Sequence, residues 1–279
     1  MIKISWNNIL IISRKELLDA RRNRWFIIYT IIFAGLSLAL SWFGLSGLGN
    51  YGLAGFGRTS ASLINLVLFI VPLMGISLGA VSLAGERERG TLIYLLSQPV
   101  SPTEIVLSKF MGIGIALLGS LTIGFGISGF LIGWYGSTIA LGSYLTLVLF
   151  TFLLSLVSLA IGLLISSVLK KSDTALGVSI FVWLFLILFG DLGLMGSSLV
   201  INLDIQQLFY AMLINPLQVF RLGALTTIRD NLEILGPVGN YAFRNFGNSL
   251  LPVFVSILAI WISVTLILSN FMFKKRGII

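Results

Sequence analysis

The sequence predicts an all-α integral membrane protein with six transmembrane helices. Three observations carry this. Hydrophobic residues make up 57% of the 279 and charged residues only 10%, against roughly 25% charged in ordinary globular chains. The mean hydropathy is +1.04. Several uncharged stretches are each long enough to cross a bilayer, so the one or two soluble domains that the length alone would suggest are overruled. The chain has no cysteine and no histidine. Disulfides, zinc–thiolate sites and iron–sulfur ligation are thereby excluded, and the commonest general base and metal ligand is missing.

A helix crosses the ~30 Å hydrocarbon layer in about 20 residues. No charge occurs from Trp25 to Gly57, but glycines crowd the stretch from Gly44 onward. The first span is therefore predicted over 25–45, followed by a glycine-rich external loop. The second covers 61–84, with Pro72 as an interior kink that neighbouring helices must accommodate. Residues 110–169 contain no charge, a length that holds two crossings, and Gly133-Trp134-Tyr135-Gly136-Ser137 supplies the break. Spans three and four follow at 106–133 and 143–168, the fifth at 174–195 and the sixth at 250–273.

Orientation follows from the basic residues. Fourteen of the eighteen lie in the N-terminal arm, the 85–109 segment, the Lys170-Lys171 hairpin and Lys274-Lys275-Arg276; Arg58, Arg221, Arg229 and Arg244 are the others. The positive-inside rule places both termini in the cytoplasm. The first 24 residues are too charged, and the next apolar run too long, for a cleaved secretory signal, so this end is expected to be retained. The net charge of +8 sits beside apolar runs, where topology and anionic lipid explain it better than nucleic acid does.

Two motif matches fail in context. Gly75-Ile76-Ser77-Leu78-Gly79 fits the nucleophile-elbow pattern, and Gly124-Phe125-Gly126-Ile127-Ser128-Gly129 fits the dinucleotide fingerprint. Both require strand-to-helix turns, yet both fall inside predicted membrane helices. Small residues that let helices approach closely explain them better. No phosphate-binding Gly-x-x-x-x-Gly-Lys-Ser/Thr loop is present, so any ATP chemistry belongs to a partner.

Two segments predicted to be cytoplasmic carry more information. In the arm, residues 1–24, Trp6, Ile9, Leu10, Leu17 and Leu18 can share one face of an amphipathic helix lying in the interface, with Arg14, Lys15, Glu16, Asp19, Arg22 and Arg24 as its charges. Trp25 is placed as an aromatic anchor. The second segment, 85–103, runs through Glu86-Arg87-Glu88-Arg89-Gly90-Thr91-Leu92 to Ser101-Pro102-Thr103-Glu104. Ser101 as N-cap, Pro102 at the first helical position and Glu104 as capping-box partner start the third span. That isolates 91–97 as a short apolar helix, which in water seeks a groove to enter. Glu86 and Glu88 are expected to meet basic residues of a partner, and Leu92, Leu95 and Leu96 to insert into its groove.

The external loop, 196–249, is too long for a simple turn. Residues 205–214 suit a re-entrant or interfacial helix, ended by Asn215-Pro216. Asp191, in the outer half of the fifth span, either faces a cavity or a cationic partner, or is solvated near the outer surface.

The Glu-x-Glu-x-Gly-Thr-Leu run followed by Leu95-Leu96-Ser97-Gln98-Pro99 resembles the coupling loop of type-2 ABC exporter permeases, and the resemblance extends over nearly the whole chain. Within that class it narrows towards the copper-processing permeases of nitrous oxide reductase maturation. The pointers are Arg14-Lys15-Glu16 with Asp19, Arg22-Asn23-Arg24-Trp25, Phe189-Gly190-Asp191-Leu192, and Asn215-Pro216 with Phe220-Arg221-Leu222. The resemblance implies a single permease domain over 1–279 that forms a homodimer in the inner or plasma membrane. It also implies contact with a cytoplasmic ABC ATPase dimer at Glu86, Glu88, Gly90, Thr91, Leu92, Leu95 and Leu96. ATP and Mg would be bound by that partner and no cofactor by this chain. In the copper-processing type a periplasmic β-helical protein sits above, and Asp191, Asn215, Pro216 and Arg221 are the residues for a pathway or for external contacts.

Three other readings compete: export of a drug, lipid or ion by the same architecture, an intramembrane enzyme, and a membrane scaffold that translocates nothing. The enzyme has only Asp191 and scattered serines for its chemistry. Without Cys or His, and with methionines such as Met74, Met111, Met195, Met212 and Met272 in apolar helices where packing is their usual role, bare copper ions find no obvious ligands. No metal site is expected. A sulfur species, a ligand-bound metal or mechanical signalling to an external partner fits better.

Overall fold

A computed structural model describes residues 5–46, 53–135, 138–200, 204–226 and 236–276, and every regular element among them is helical. The helices are α1 (Trp6–Arg22), α2 (Arg24–Ser46), α3 (Leu53–Glu88), α4 (Thr91–Leu96), α5 (Pro102–Tyr135), α6 (Thr138–Val168), α7 (Ser172–Val200), α8 (Ile205–Ile214), α9 (Pro216–Thr226), α10 (Gly236–Phe246) and α11 (Leu250–Arg276). A short 3₁₀ turn joins α10 to α11. Six helices, α2, α3, α5, α6, α7 and α11, are long and apolar enough to cross a membrane. Each predicted span lies inside one of them.

The spans are longer than the minimum because several helices continue beyond the apolar layer. At 1.5 Å per residue, the 36 residues of α3 reach ~54 Å against a ~30 Å hydrocarbon core. The helix runs through Pro72 as one element. Of the glycine-rich loop expected after the first span, residues 53–60 instead form the first turns of α3, while 47–52 and the Gly136-Ser137 break lie outside the described residues. The helices flanking them end and begin as a six-span path requires.

The most extensive packing joins α3 to α6. Their backbones approach at Gly79 and Gly162: a Cβ on Gly79 would lie 2.6 Å from the Leu159 carbonyl oxygen, and one on Gly162 would collide with the Ile76 carbonyl. This is the close helix approach predicted for the Gly75–Gly79 motif. The second motif does something different. Gly124 and Gly129 make room for the Phe33 and Tyr144 rings, while Gly126 faces open space.

At the end of the bundle away from α1 and α4, α8 and α9 are bent by 114° at Asn215-Pro216. Asp204 caps α8 in a capping box with Gln207. Asn215 caps α9, its Oδ1 accepting from the Leu217 N–H at 3.0 Å. The helix predicted at 205–214 is present, but α9, which follows it, is the more deeply inserted. Phe220, Leu217 and Val219 join Phe209, Phe150 and Phe254 in the main core, with α9 against α6 and α11. Each helix alone is too short to span. Together they make a broken, inward-turned pair.

Candidate functional site: a short helix and its ion cluster

The site lies where α3 leaves the bundle. Gly90 ends α3 with φ +73°, a left-handed conformation that suits glycine, and so turns the chain into α4. The Thr91 hydroxyl donates to the Glu86 carbonyl at 3.1 Å, tying the first residue of α4 to the last turn of α3. A short connection after α4, the chain enters α5 through the predicted capping box. Glu104 Oε2 accepts from the Ser101 N–H at 2.7 Å, and the Glu104 N–H donates to Ser101 Oγ at 3.2 Å. Glu104 also accepts from the Ser5 N–H through its other oxygen, which fastens the start of α1 to the start of α5.

The short helix predicted at 91–97 is present over 91–96, with Ser97 as its C-cap, but it faces the other way from the expectation. Leu92 is buried among Leu83, Ile105, Val106 and Phe273, with Leu95 and Leu96 packed beside it. The reason is periodicity: positions i, i+3 and i+4 form one stripe, and a six-residue helix lying on the bundle buries that stripe in its own core. The outward face is therefore Ile93 and Tyr94, 73% and 76% exposed. Sequence reasoning passed over these two, although their offset from the leucine stripe was the available signal.

Glu86 also turns inward. Only 7% of it is exposed, and its Oε1 lies 3.0 Å from Lys109 Nζ and 3.0 Å from Lys15 Nζ. Lys109, 1% exposed, donates equally closely to Glu16 Oε1, at 2.9 Å. Lys15 stands 3.5 Å from Glu16 and 3.8 Å from Asp19. Two ammonium groups and two carboxylates thus close a cluster joining α1, α3 and α5, in which Lys109, Glu16 and Glu86 are buried and the half-exposed Lys15 and Asp19 form the edge. An ionised carboxylate at this depth requires such partners. The contact with a partner's basic residues expected of Glu86 is accordingly replaced by an internal one. Burial disfavours the Lys15 ammonium, but its hydrogen bond to Glu86 and the nearby Glu86, Glu16 and Asp19 carboxylates outweigh that and raise its pKa above the usual lysine value.

The other charges of the motif clamp the α6–α7 hairpin. Arg87 donates to the Leu169 carbonyl at the end of α6. The exposed Glu88 accepts from the Ser172 N–H at 2.9 Å, at the first turn of α7. Glu86-Arg87-Glu88 therefore reaches α1, α5, α6 and α7 from three consecutive positions.

The arm is a helix, as expected, with a different buried face. Ile9, Ile12, Ser13, Glu16 and Ala20 turn towards the bundle, where the Ser13 hydroxyl donates to the Ser108 carbonyl at 3.1 Å. Gly112 permits the crossing, since a Cβ there would meet the Ser13 carbonyl. Trp6, Leu10, Ile11 and Leu18 remain exposed together with Arg14, Arg22, Arg24 and Trp25. Ile9 thus leaves the predicted apolar face because polar partners on α5 hold the opposite side. Lys109 escaped the sequence reading. A lysine five residues beyond a glutamate, at the start of an otherwise apolar span, was the signal for it.

At the opposite end, the Asn215 side-chain amide donates to the Leu186 carbonyl at 2.7 Å, and Pro216 opens α9. Arg221 is half-buried on α9. Asp191 falls within α7, but its side chain lies outside the described residues. Among the described residues, no group of three His, Cys, Asp or Glu side chains is placed to hold a metal.

A multi-span helical bundle with a short exposed helix anchored at one end has the build of a transporter's membrane subunit. The chain belongs to the ABC-2 transporter family: residues 10–278 match the family described as ABC-2 family transporter protein. It is 33% identical over 277 residues to the probable ABC transporter permease protein NosY of Pseudomonas aeruginosa, covering 96% of this chain and 98% of that one. It is 31% identical over 281 residues to the protein of the same name from Stutzerimonas stutzeri, covering 97% and 98%. Members of this family are membrane subunits that work with an ATPase partner.

Proposed function

We propose that this chain is the permease through which a separate ABC ATPase dimer drives an export or signalling step at the membrane, in the copper-site maturation of nitrous oxide reductase. The observation that carries the reading is α4: its leucine stripe packs against α3, α5 and α11, next to the Glu86 cluster, while Ile93 and Tyr94 are left facing outward. A helix so anchored transmits a push on its outer face to the helices that hold it. In this reading α1, α4 and both termini are cytoplasmic, in line with the basic residues at that end. ATP and Mg belong to the ATPase, and this chain has no catalytic motif of its own. Two copies pair as a homodimer, for which α7, with Phe181, Phe185 and Phe189 exposed in a row, offers a surface.

The maturation role rests on the two NosY relatives, near full length, and on the resemblance of the Phe189–Leu192 and Asn215–Leu222 segments. A periplasmic β-helical protein would then meet the α8–α10 end. Co-purification from native membranes tests this. Recovery of an ATPase together with such an external protein supports the maturation role. Recovery of the ATPase alone leaves an exporter of another cargo and removes that role.

A further inference from the structure

Beside the ion cluster, a cleft of about 410 Å³ opens between α1, α3 and α5. Pockets of this size suit small ligands and headgroups. Its lining has three chemistries. Glu86, Glu16 and Asp19 contribute carboxylates, Arg22 and Arg89 contribute guanidinium groups, and Leu78, Val81 and Ile113 form an apolar wall from the spans.

The carboxylates are unequally satisfied. Glu86 Oε1 takes both lysines, whereas Glu86 Oε2 is buried and accepts no hydrogen bond, on a side chain only 9% exposed. A buried carboxylate oxygen left without a donor is costly, and a ligand cation would satisfy it. Arg22 and Arg89 form no ion pair among the described residues and are exposed beside it. Guanidinium forks favour phosphate.

We propose that this cleft binds the phosphoethanolamine headgroup of a membrane lipid, the ammonium on Glu86 and Asp19, the phosphate on Arg22 and Arg89, and the first chain carbons along Leu78, Val81 and Ile113. A primary ammonium brings three N–H donors to the carboxylates. A quaternary choline brings none. The apolar wall belongs to membrane-spanning helices at the level where they become charged, which favours a lipid over a soluble phosphoamine. The proposal is independent of the ATPase reading.

The full chain, purified and reconstituted in nanodiscs of equal phosphatidylethanolamine, phosphatidylglycerol and phosphatidylcholine, tests it by native mass spectrometry of retained lipid. Phosphatidylethanolamine should be enriched about tenfold over the other two, the scale of one charge-assisted hydrogen bond. N-methylation of the headgroup should erode the preference stepwise. Asp19→Asn and the Arg22→Gln/Arg89→Gln pair, all on exposed residues, should abolish it while thermal melting stays at the wild-type value. Equal retention of the three lipids, or enrichment that survives both exposed-site variants, overturns the proposal. Displacement by soluble phosphoethanolamine at the lipid's own potency would assign the cleft to a free metabolite and overturn the lipid. Release of the lipid on adding the ATPase, with Asp19 then protected from carboxyl modification, would give the cleft to a basic side chain of that partner and overturn it likewise.

Discussion

Lys109 Nζ lies 3.0 Å from Glu86 Oε1, joining a residue of α5 to the last turn of α3 at a point where both are buried. Removing one member strands the other charge, at a cost of about 3–5 kcal/mol when a buried pair is broken. Glu86→Ala and Lys109→Ala are therefore expected to lower the melting temperature in detergent sharply. The double change Glu86→Gln/Lys109→Met should recover part of the loss. Reading Glu86 as an outward contact instead predicts an intact fold in Glu86→Ala, so thermal melting separates the two accounts.

The same cluster sets a pH expectation. The Lys15 pKa is raised, so its contribution to stability is complete below the ordinary lysine value and is lost only as pH rises through the raised one. Melting temperature should accordingly lose nothing through Lys15 between pH 7 and 9. A Lys15→Met control identifies any loss in that interval that depends on this ammonium.

The two faces of α4 should separate by experiment. Leu92→Ala opens the buried contact with Leu83, Val106 and Phe273, and is expected to destabilise by about 2–5 kcal/mol. Ile93→Ala with Tyr94→Ala should leave melting unchanged and weaken ATPase association by about 2 kcal/mol, as an exposed aromatic anchor does. Melting and ATPase pull-down on the same preparations distinguish them.

At the start of α5, Ser101→Ala removes the cap from Glu104 and should cost about 1 kcal/mol. Glu104→Gln keeps the shape but weakens the acceptor of both the Ser101 and Ser5 N–H groups. Protease sensitivity at the start of α1 should rise in Glu104→Gln more than in Ser101→Ala.

Gly162→Leu tests the α3–α6 contact. The added side chain would force the backbones apart at Gly79, so the dispersion contacts along both helices are lost together. The variant should fail to yield folded protein, whereas Gly126→Leu, facing open space, should be tolerated.

How much of this was legible differs by residue type. The six spans were readable because uncharged length is a property of one contiguous segment. The Ser101-Pro102-Thr103-Glu104 cap was readable because all its bonds are local. Glu86 was misread because its partner Lys15 is 71 residues away and Lys109 on another helix, and a charge beside a span reads as solvated until its neighbours are known. Leu92 was misread because an apolar stripe on a short helix specifies a buried face without saying whose core buries it. The helix α9 went unseen because its eleven residues are too few for a span and carry Gln218 and Arg221 among the apolar ones.

The central claim is that α4 is where the ATPase acts. Because the chain contains no cysteine, a single Tyr94→Cys carries a crosslinker without background, and Leu92→Cys beside it serves as the buried control. In native membranes, Tyr94→Cys should yield one crosslinked product containing the ABC ATPase subunit, sensitive to ATP binding, while Leu92→Cys yields none. Crosslinking of the ATPase elsewhere on the chain, with Tyr94→Cys silent, would contradict the account.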